Sequence, residues 1–253
     1  MVLTLIRYVL KAAIRDRLVL SVMAAMVLGC SLSVFLGSSA VVEQDQFSLA
    51  FASAGLRLTG MIGIVLFIVF FIRRSIESRD LEFLLSRPVG RIEFLLSYAA
   101  AFSLIAIMVT LAQTLGLYIM GPHFFGEGAM LWCVSIMIEN IIVANTAFFF
   151  ALFLSSAASA SLAVIGFYVL GRMMGQILGI IEAGGNGQIT QVLEQVMNFI
   201  SIITPRLDLM GQTSWLIYGP QGDVGLSFLF IQGIFCCTLV LTAALLDLIR
   251  KQF

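Results

Sequence analysis

The sequence predicts an all-α integral membrane protein with six transmembrane helices. Three observations carry that prediction. The 253-residue chain is 60% hydrophobic and 11% charged, with a mean hydropathy of +1.07. Six apolar segments, roughly 18–42, 51–72, 94–120, 132–154, 159–181 and 225–248, reach the ~20 residues that a helix needs to cross the hydrocarbon core. The cations are also sorted. Arg7, Lys11, Arg15 and Arg17 precede the first span; Arg73, Arg74, Arg79, Arg87 and Arg91 lie between the second and third; Arg250 and Lys251 follow the last. With six spans these three regions share one side, which the positive-inside rule assigns to the cytoplasm together with both termini. The spans leave no room for a sizeable soluble domain, so residues 1–253 form a single transmembrane domain.

Taken in order, residues 1–17 place Leu3, Ile6, Val9, Leu10 and Ala13 or Ile14 at helical spacing, with Arg7, Lys11 and Arg15 at i, i+4, i+8. That is an amphipathic helix suited to the cytoplasmic headgroup layer. "FLGSSAVVEQ" at 35–44 superficially resembles a signal-peptidase site, but the apolar run before it is longer than a signal core, so the first span is read as uncleaved. A short acidic loop with Glu43 and Asp45 leads to span two. "GPHFFGEGA" after span three is an outer turn punctuated by Gly and Pro, and "SSAAS" joins spans four and five in a tight hairpin. The outer excursion 182–224 is too apolar to stay in water. Within it, "QITQVLEQVMNFISIIT" and "GQTSWLIYGPQGD" predict one or two short helices that lie at, or dip into, the interface.

Several function classes are disfavoured. Net charge is zero, so no electrostatic footprint points to nucleic acid. Cys30, Cys133, Cys236 and Cys237 lie in or at the edges of spans. The adjacent pair faces two sides of a helix and suits neither a metal nor a redox site. The single histidine, His123, sits in an outer loop. "EAGGNGQIT" lacks the Lys-Ser/Thr of a phosphate-binding loop, and no nucleophile–base arrangement is visible. The chain by itself is therefore not read as an enzyme, and it is expected to bind no cofactor.

Against this apolar background the connector 77–96 stands out. Glu77, Arg79, Asp80, Glu82, Arg87, Arg91 and Glu93 crowd into it. Leu81, Leu84 and Leu85, then Ile92 and Leu95, recur near i, i+3, i+4. Acids open the segment and Arg87 closes it, the order a helix dipole favours. Pro88 stops the helix. A short amphipathic helix at 76–88, held across the cytoplasmic face by two spans, follows. Its acids disfavour anionic lipid, and the residues by themselves leave open a docking surface for a cytoplasmic protein or an ordinary solvated loop that satisfies the positive-inside rule.

The run E-S-R-D-L-E-F-L-L-S-R-P-V-G-R, residues 77–91, resembles the first cytoplasmic loop of permease subunits of type-2 ABC transporters, whose usual form is close to E-x-G-T-L-E-x-L-L-x-x-P-V-S-R. Glu77, Leu81, Glu82, Leu84, Leu85, Pro88, Val89 and Arg91 match. Arg79, Asp80 and Gly90 stand where the family has Gly, Thr and Ser. The layout of entry helix, six spans and outer excursion is similar too. The resemblance implies a coupling helix, made of Glu77, Arg79, Asp80, Leu81, Glu82, Leu84, Leu85, Arg87 and Pro88, that fits a cytoplasmic ABC ATPase. It implies ATP and Mg on that partner, a second permease copy as homodimer or related heterodimer, export by alternating access, and the bacterial cytoplasmic membrane.

Inside the membrane, Gly171, Gly175 and Gly179 form a small-xxx-small ridge for helix packing within the subunit or, as the resemblance implies, across a dimer. Arg172 and Gln176 form a polar pair beside it. Glu139 in span four lies at similar depth, and Arg57 enters span two from the same side. A lone charge near the bilayer centre costs about 2.5–3.5 kcal/mol, so Glu139 is expected to pair with Arg172 or Arg57, either to fix packing or to line a pathway. Asn140, Asn145 and Gln113 are open to either role. The rival to a transport subunit is a non-transporting membrane scaffold or assembly factor with a cytoplasmic docking loop.

Overall fold

A computed structural model of the chain describes residues 2–39, 43–78, 90–121, 126–183, 196–197, 200–201, 204–220 and 225–250. The described residues form helices and turns without a strand: α1 (Val2–Arg15), α2 (Arg17–Ser38), α3 (Gln44–Glu77), α4 (Arg91–Met120), α5 (Glu127–Phe153), α6 (Ala157–Ala183), a 3-10 turn (Leu207–Leu209), α7 (Ser214–Tyr218) and α8 (Leu226–Arg250). Among them, α2 to α6 and α8 are long and apolar enough to cross a membrane. The chain is an all-α, multi-pass membrane protein. The predicted and observed spans differ at their ends. α3 begins at Gln44, well before the expected 51, because no Gly or Pro interrupts 44–54.

Helices α3, α4 and α5 make the centre of the bundle. In α5, 72% of the apolar window is buried, against 11% in α2 and 22% in α6. Small residues on α5 (Ala129, Ala144, Ala147, Ala151), all buried, let neighbours approach closely without a hydrophobic drive between helices. α2 lies along α3, α8 along α5, and α6 against both α5 and α3.

Helix α1 packs on α4 through Leu5, Val9 and Ala13, spaced i, i+4, i+8, while Leu3 and Ile14 are exposed. The buried stripe is thus rotated from the predicted one, centred on Val9 with Leu5 in place of Leu3. Tyr8 reaches the Phe71 ring, 6.3 Å between centroids. The same end of the bundle gathers the last turns of α3, α5 and α8. Arg73 Nη1 donates to the Leu154 carbonyl at 3.1 Å. Arg91 Nη1 donates to the Leu248 and Ile249 carbonyls, each at 3.0 Å. Each arginine occupies carbonyls left open where a helix ends.

Helix α3 continues through Glu77, and its end is closed by the Ser78 N–H, which returns to the Arg74 carbonyl at 2.9 Å. Glu77, expected to open the connector helix, instead sits in the last turn of α3, because nothing before Ser78 breaks the helix. Arg79, Asp80, Leu81, Glu82, Leu84, Leu85, Arg87 and Pro88 lie outside the described residues.

Candidate functional site

The polar side chains of α5 recur at Ser135, Glu139, Asn140 and Asn145, and all four are buried. In a helix that must shed its polarity away from lipid, they face the bundle and meet partners there. Tyr168, one turn before Arg172 on α6, donates its hydroxyl to Glu139 Oε1 at 2.7 Å. Arg172 Nη1 stands 3.8 Å from Glu139 Oε2. Glu139 is 1% exposed, so this carboxylate spends its charge on α6 rather than on water.

The two guanidinia also hold backbone. Arg172 Nη1 donates to the carbonyls of Leu207 and Met210, at 2.5 and 2.7 Å. From the opposite helix, α3, Arg57 Nη2 donates to the Gly211 carbonyl, and Ser135 Oγ on α5 accepts the Gly211 N–H at 2.7 Å. The segment 204–218 therefore enters the bundle between α3, α5 and α6. Gly211 lies level with Ser135 and Glu139, eight to twelve residues or about 12–18 Å inward from the start of α5. Leu207 and Met210 are fully buried and Trp215 nearly so. Non-helical backbone is tolerated at such depth only when protein satisfies it, and the two arginines and Ser135 supply that.

Gly211 is required at the turn. Its φ of +55° favours glycine, and a Cβ there would lie 2.6 Å from Ile136 Cδ1 and 3.3 Å from both Arg57 Nη2 and Glu139 Oε2. The residue thus sits in the gap between the Arg57 cation and the Glu139 anion. Two of the predicted ridge glycines serve the same segment. A Cβ on Gly171 would lie 2.8 Å from the Pro205 carbonyl, and one on Gly175 would collide with Asp208. Gly179 faces open space. Gly171 and Gly175 thus pack against this chain's own excursion. Gln176 is exposed on α6, outside the cluster.

A second polar layer adjoins the first. Asn140 Nδ2 donates to Thr110 Oγ1 and Gln113 Oε1, both at 2.9 Å. Gln113 Nε2 passes the chain of bonds on to the Leu56 carbonyl of α3 at 2.8 Å. It reaches that carbonyl only because Gly60, one turn further on, lacks a side chain; a Cβ there would fall on the Gln113 amide. Further along α5, Asn145 Nδ2 donates to Ser103 Oγ at 3.2 Å and to the Ile141 carbonyl. In the inserted segment, beside Gly175, Arg206 binds Asp208 through two nitrogens, Nε–Oδ1 at 3.0 Å and Nη2–Oδ2 at 2.9 Å. These bonds push the Arg206 guanidinium above its usual range. A raised cation contributes its stability below its unfolded pKa, so this contribution is constant across physiological pH.

The structure thus brings together Glu139, Arg172 and Arg57, and leaves Gln176 aside. Sequence reasoning missed Tyr168, Ser135 and Gly211. Helical spacing could have found the first two, since each lies four residues before a nominated charge. No His/Cys/Asp/Glu group suited to a metal occurs among the described residues, and all four cysteines are free. The cluster's chemistry is retention: a carboxylate pairs with Arg172 and stands near Arg57, and the two cations hold three carbonyls. Neither the protein-family models nor the curated proteins include a match to this chain.

Proposed function

We propose that this chain is the membrane-spanning subunit of an ATP-driven transporter of the type-2 ABC class, exporting its substrate by alternating access under the control of a separate cytoplasmic ATPase. The observation that carries the reading is the run Glu77–Arg91, with its acid-first, base-last order, its leucines and its Pro88 stop, lying between spans two and three. Three features support it. α3 and α4 deliver the ends of that connector to the same end of the bundle as α1 and the last turn of α8, where a peripheral subunit could reach them together. The chain carries no nucleotide-binding motif, which suits hydrolysis on another polypeptide with ATP and Mg. The segment 204–218, gripped from two sides at the other end, suits a barrier on the far side of a pathway. Two copies, or one and a related permease, would flank that pathway, and the apolar spans favour an amphipathic cargo.

The test is biochemical. Purified together with an ATP-binding cassette ATPase, sought first among the neighbouring open reading frames, the chain should stimulate ATP turnover. Glu82→Lys, which reverses a charge on the docking helix, and Pro88→Leu, which removes its stop, should each cut association and stimulated turnover by about tenfold, the effect of losing roughly 1.4 kcal/mol. Wild-type behaviour in both variants would refute the coupling role.

A further inference from the structure

Helix α2 rests along α3 and only lightly on α4, so a trough runs between α2 and α4. It has two adjoining parts. The part nearer α1 holds about 400 Å³ and is lined by Ile14 of α1, Leu20 and Met23 of α2, Phe67 of α3, and Met108 and Ala112 of α4. The next holds about 500 Å³, shares Met23 and Ala112, and continues to Val34. No charged side chain lines either part. The two volumes fall within the range of ligand pockets, about 300–1,000 Å³.

We infer that this trough is a binding site for an anionic phospholipid of the surrounding bilayer, with an acyl chain in the trough and the headgroup on the basic α1–α2 junction. The length and lining suit a lipid tail. From Leu20 to Val34 the trough follows about 21 Å of α2, longer than one leaflet of the ~30 Å hydrocarbon core. It is apolar along that length, which suits a flexible chain. Charge decides the headgroup. Lys11 follows the lining residue Leu10, and Arg17 falls midway between the lining residues Ile14 and Leu20; both cations are exposed. Arg7 and Arg15 add to the field, and Asp16 is the single acid in residues 1–17. The basic α1–α2 junction thus adjoins, along the chain, the end of the apolar trough lined by α1. A zwitterionic lipid would gain the apolar contact without the charge.

The test uses the full chain in phosphatidylcholine vesicles with a trace of phosphatidylglycerol carrying a diazirine in its tail. Photoadducts should concentrate on the trough residues of α2 and α4, and unlabelled phosphatidylglycerol should compete well ahead of phosphatidylcholine. Ala112→Trp should abolish those adducts by filling the trough. The pair Lys11→Gln and Arg17→Gln, both at exposed positions, should weaken the competition by phosphatidylglycerol about thirty-fold, as expected for two cations beside an anionic surface. Lys11→Arg with Arg17→Lys should restore it. Equal competition by phosphatidylcholine, or adducts spread around every lipid-facing helix, would mean ordinary boundary lipid and overturn the proposal. So would a cysteine at Met23 that cross-links to a second copy of the chain in place of labelling by lipid.

Discussion

The two ends of the bundle are held by different physics. At the α1 end, Phe71, Phe94, Tyr98, Phe102 and Phe148 interlock, with neighbouring centroids 4.5 to 6.4 Å apart. Ring contacts of this kind are worth about 0.5–1.5 kcal/mol each beyond burial, and they tolerate several geometries. Further along the spans, the inserted segment 204–218, with only a 3-10 turn and the short α7, is pinned by directional bonds: Arg57 and Arg172 to three carbonyls, Ser135 to one N–H, and Glu139 near both cations. Packing in lipid gives little reason for a helix to choose one register. Hydrogen bonds to named backbone atoms do give one. The aromatic end sets how the spans lean on each other, and the charged layer sets where the 204–218 segment stops.

Substitutions can break or sharpen that contrast. The largest effect is expected at Glu139→Leu, which takes the buried carboxylate from beside the buried Arg57 and the partly exposed Arg172 and should cost about 3–5 kcal/mol in reversible unfolding from mixed micelles. A cysteine at Gln212 should then react faster with an impermeant maleimide, since its segment has lost the anion that holds its anchors. Gly211→Ala comes next, at about 2–4 kcal/mol, because it combines a left-handed backbone with overpacking against Ile136. It should expose the same cysteine while leaving α1 in place. Gly60→Ala should cost about 1–3 kcal/mol by forcing Gln113 off the Leu56 carbonyl. At the aromatic end, Phe102→Leu removes three ring contacts, worth about 0.5–1.5 kcal/mol each, and should leave the labelling of Gln212 unchanged. If Phe102→Leu released the segment as Glu139→Leu does, the two ends would not be separable. On α2, Leu28→Ala should fall within about 0.5 kcal/mol, as for other exposed positions.

The spans were legible because ~20 apolar residues in a row admit few other structures in water or lipid. The convergence of Glu139, Arg172 and Arg57 was legible as well, since a charge in hydrocarbon needs a partner and helical rise fixes depth. What Arg57 and Arg172 hold was not legible. Backbone carbonyls carry no residue identity, so nothing in "LDLMGQ" announces that Leu207, Met210 and Gly211 offer theirs to arginines. The glycine ridge of α6 shows the same gap. Its spacing signals close approach without saying whether the neighbour is a second copy or, as for Gly171 and Gly175, the chain's own excursion. Trp215 and Tyr218 look like a pair in sequence, yet the first is buried and the second, the last residue of α7, is exposed.

The arginine caps at the α1 end have a mechanical consequence. Arg73 near the tip of α3 is bonded to the end of α5, and Arg91 at the root of α4 is bonded to the end of α8. A load on the residues between those two roots therefore does not stay on α3 and α4. It either snaps a bond at each root or drags α5 and α8 along, so four helices share one yoke. α5 is also the shaft that bears Ser135 and Glu139, and any stroke it makes along its axis would arrive at the Gly211 turn.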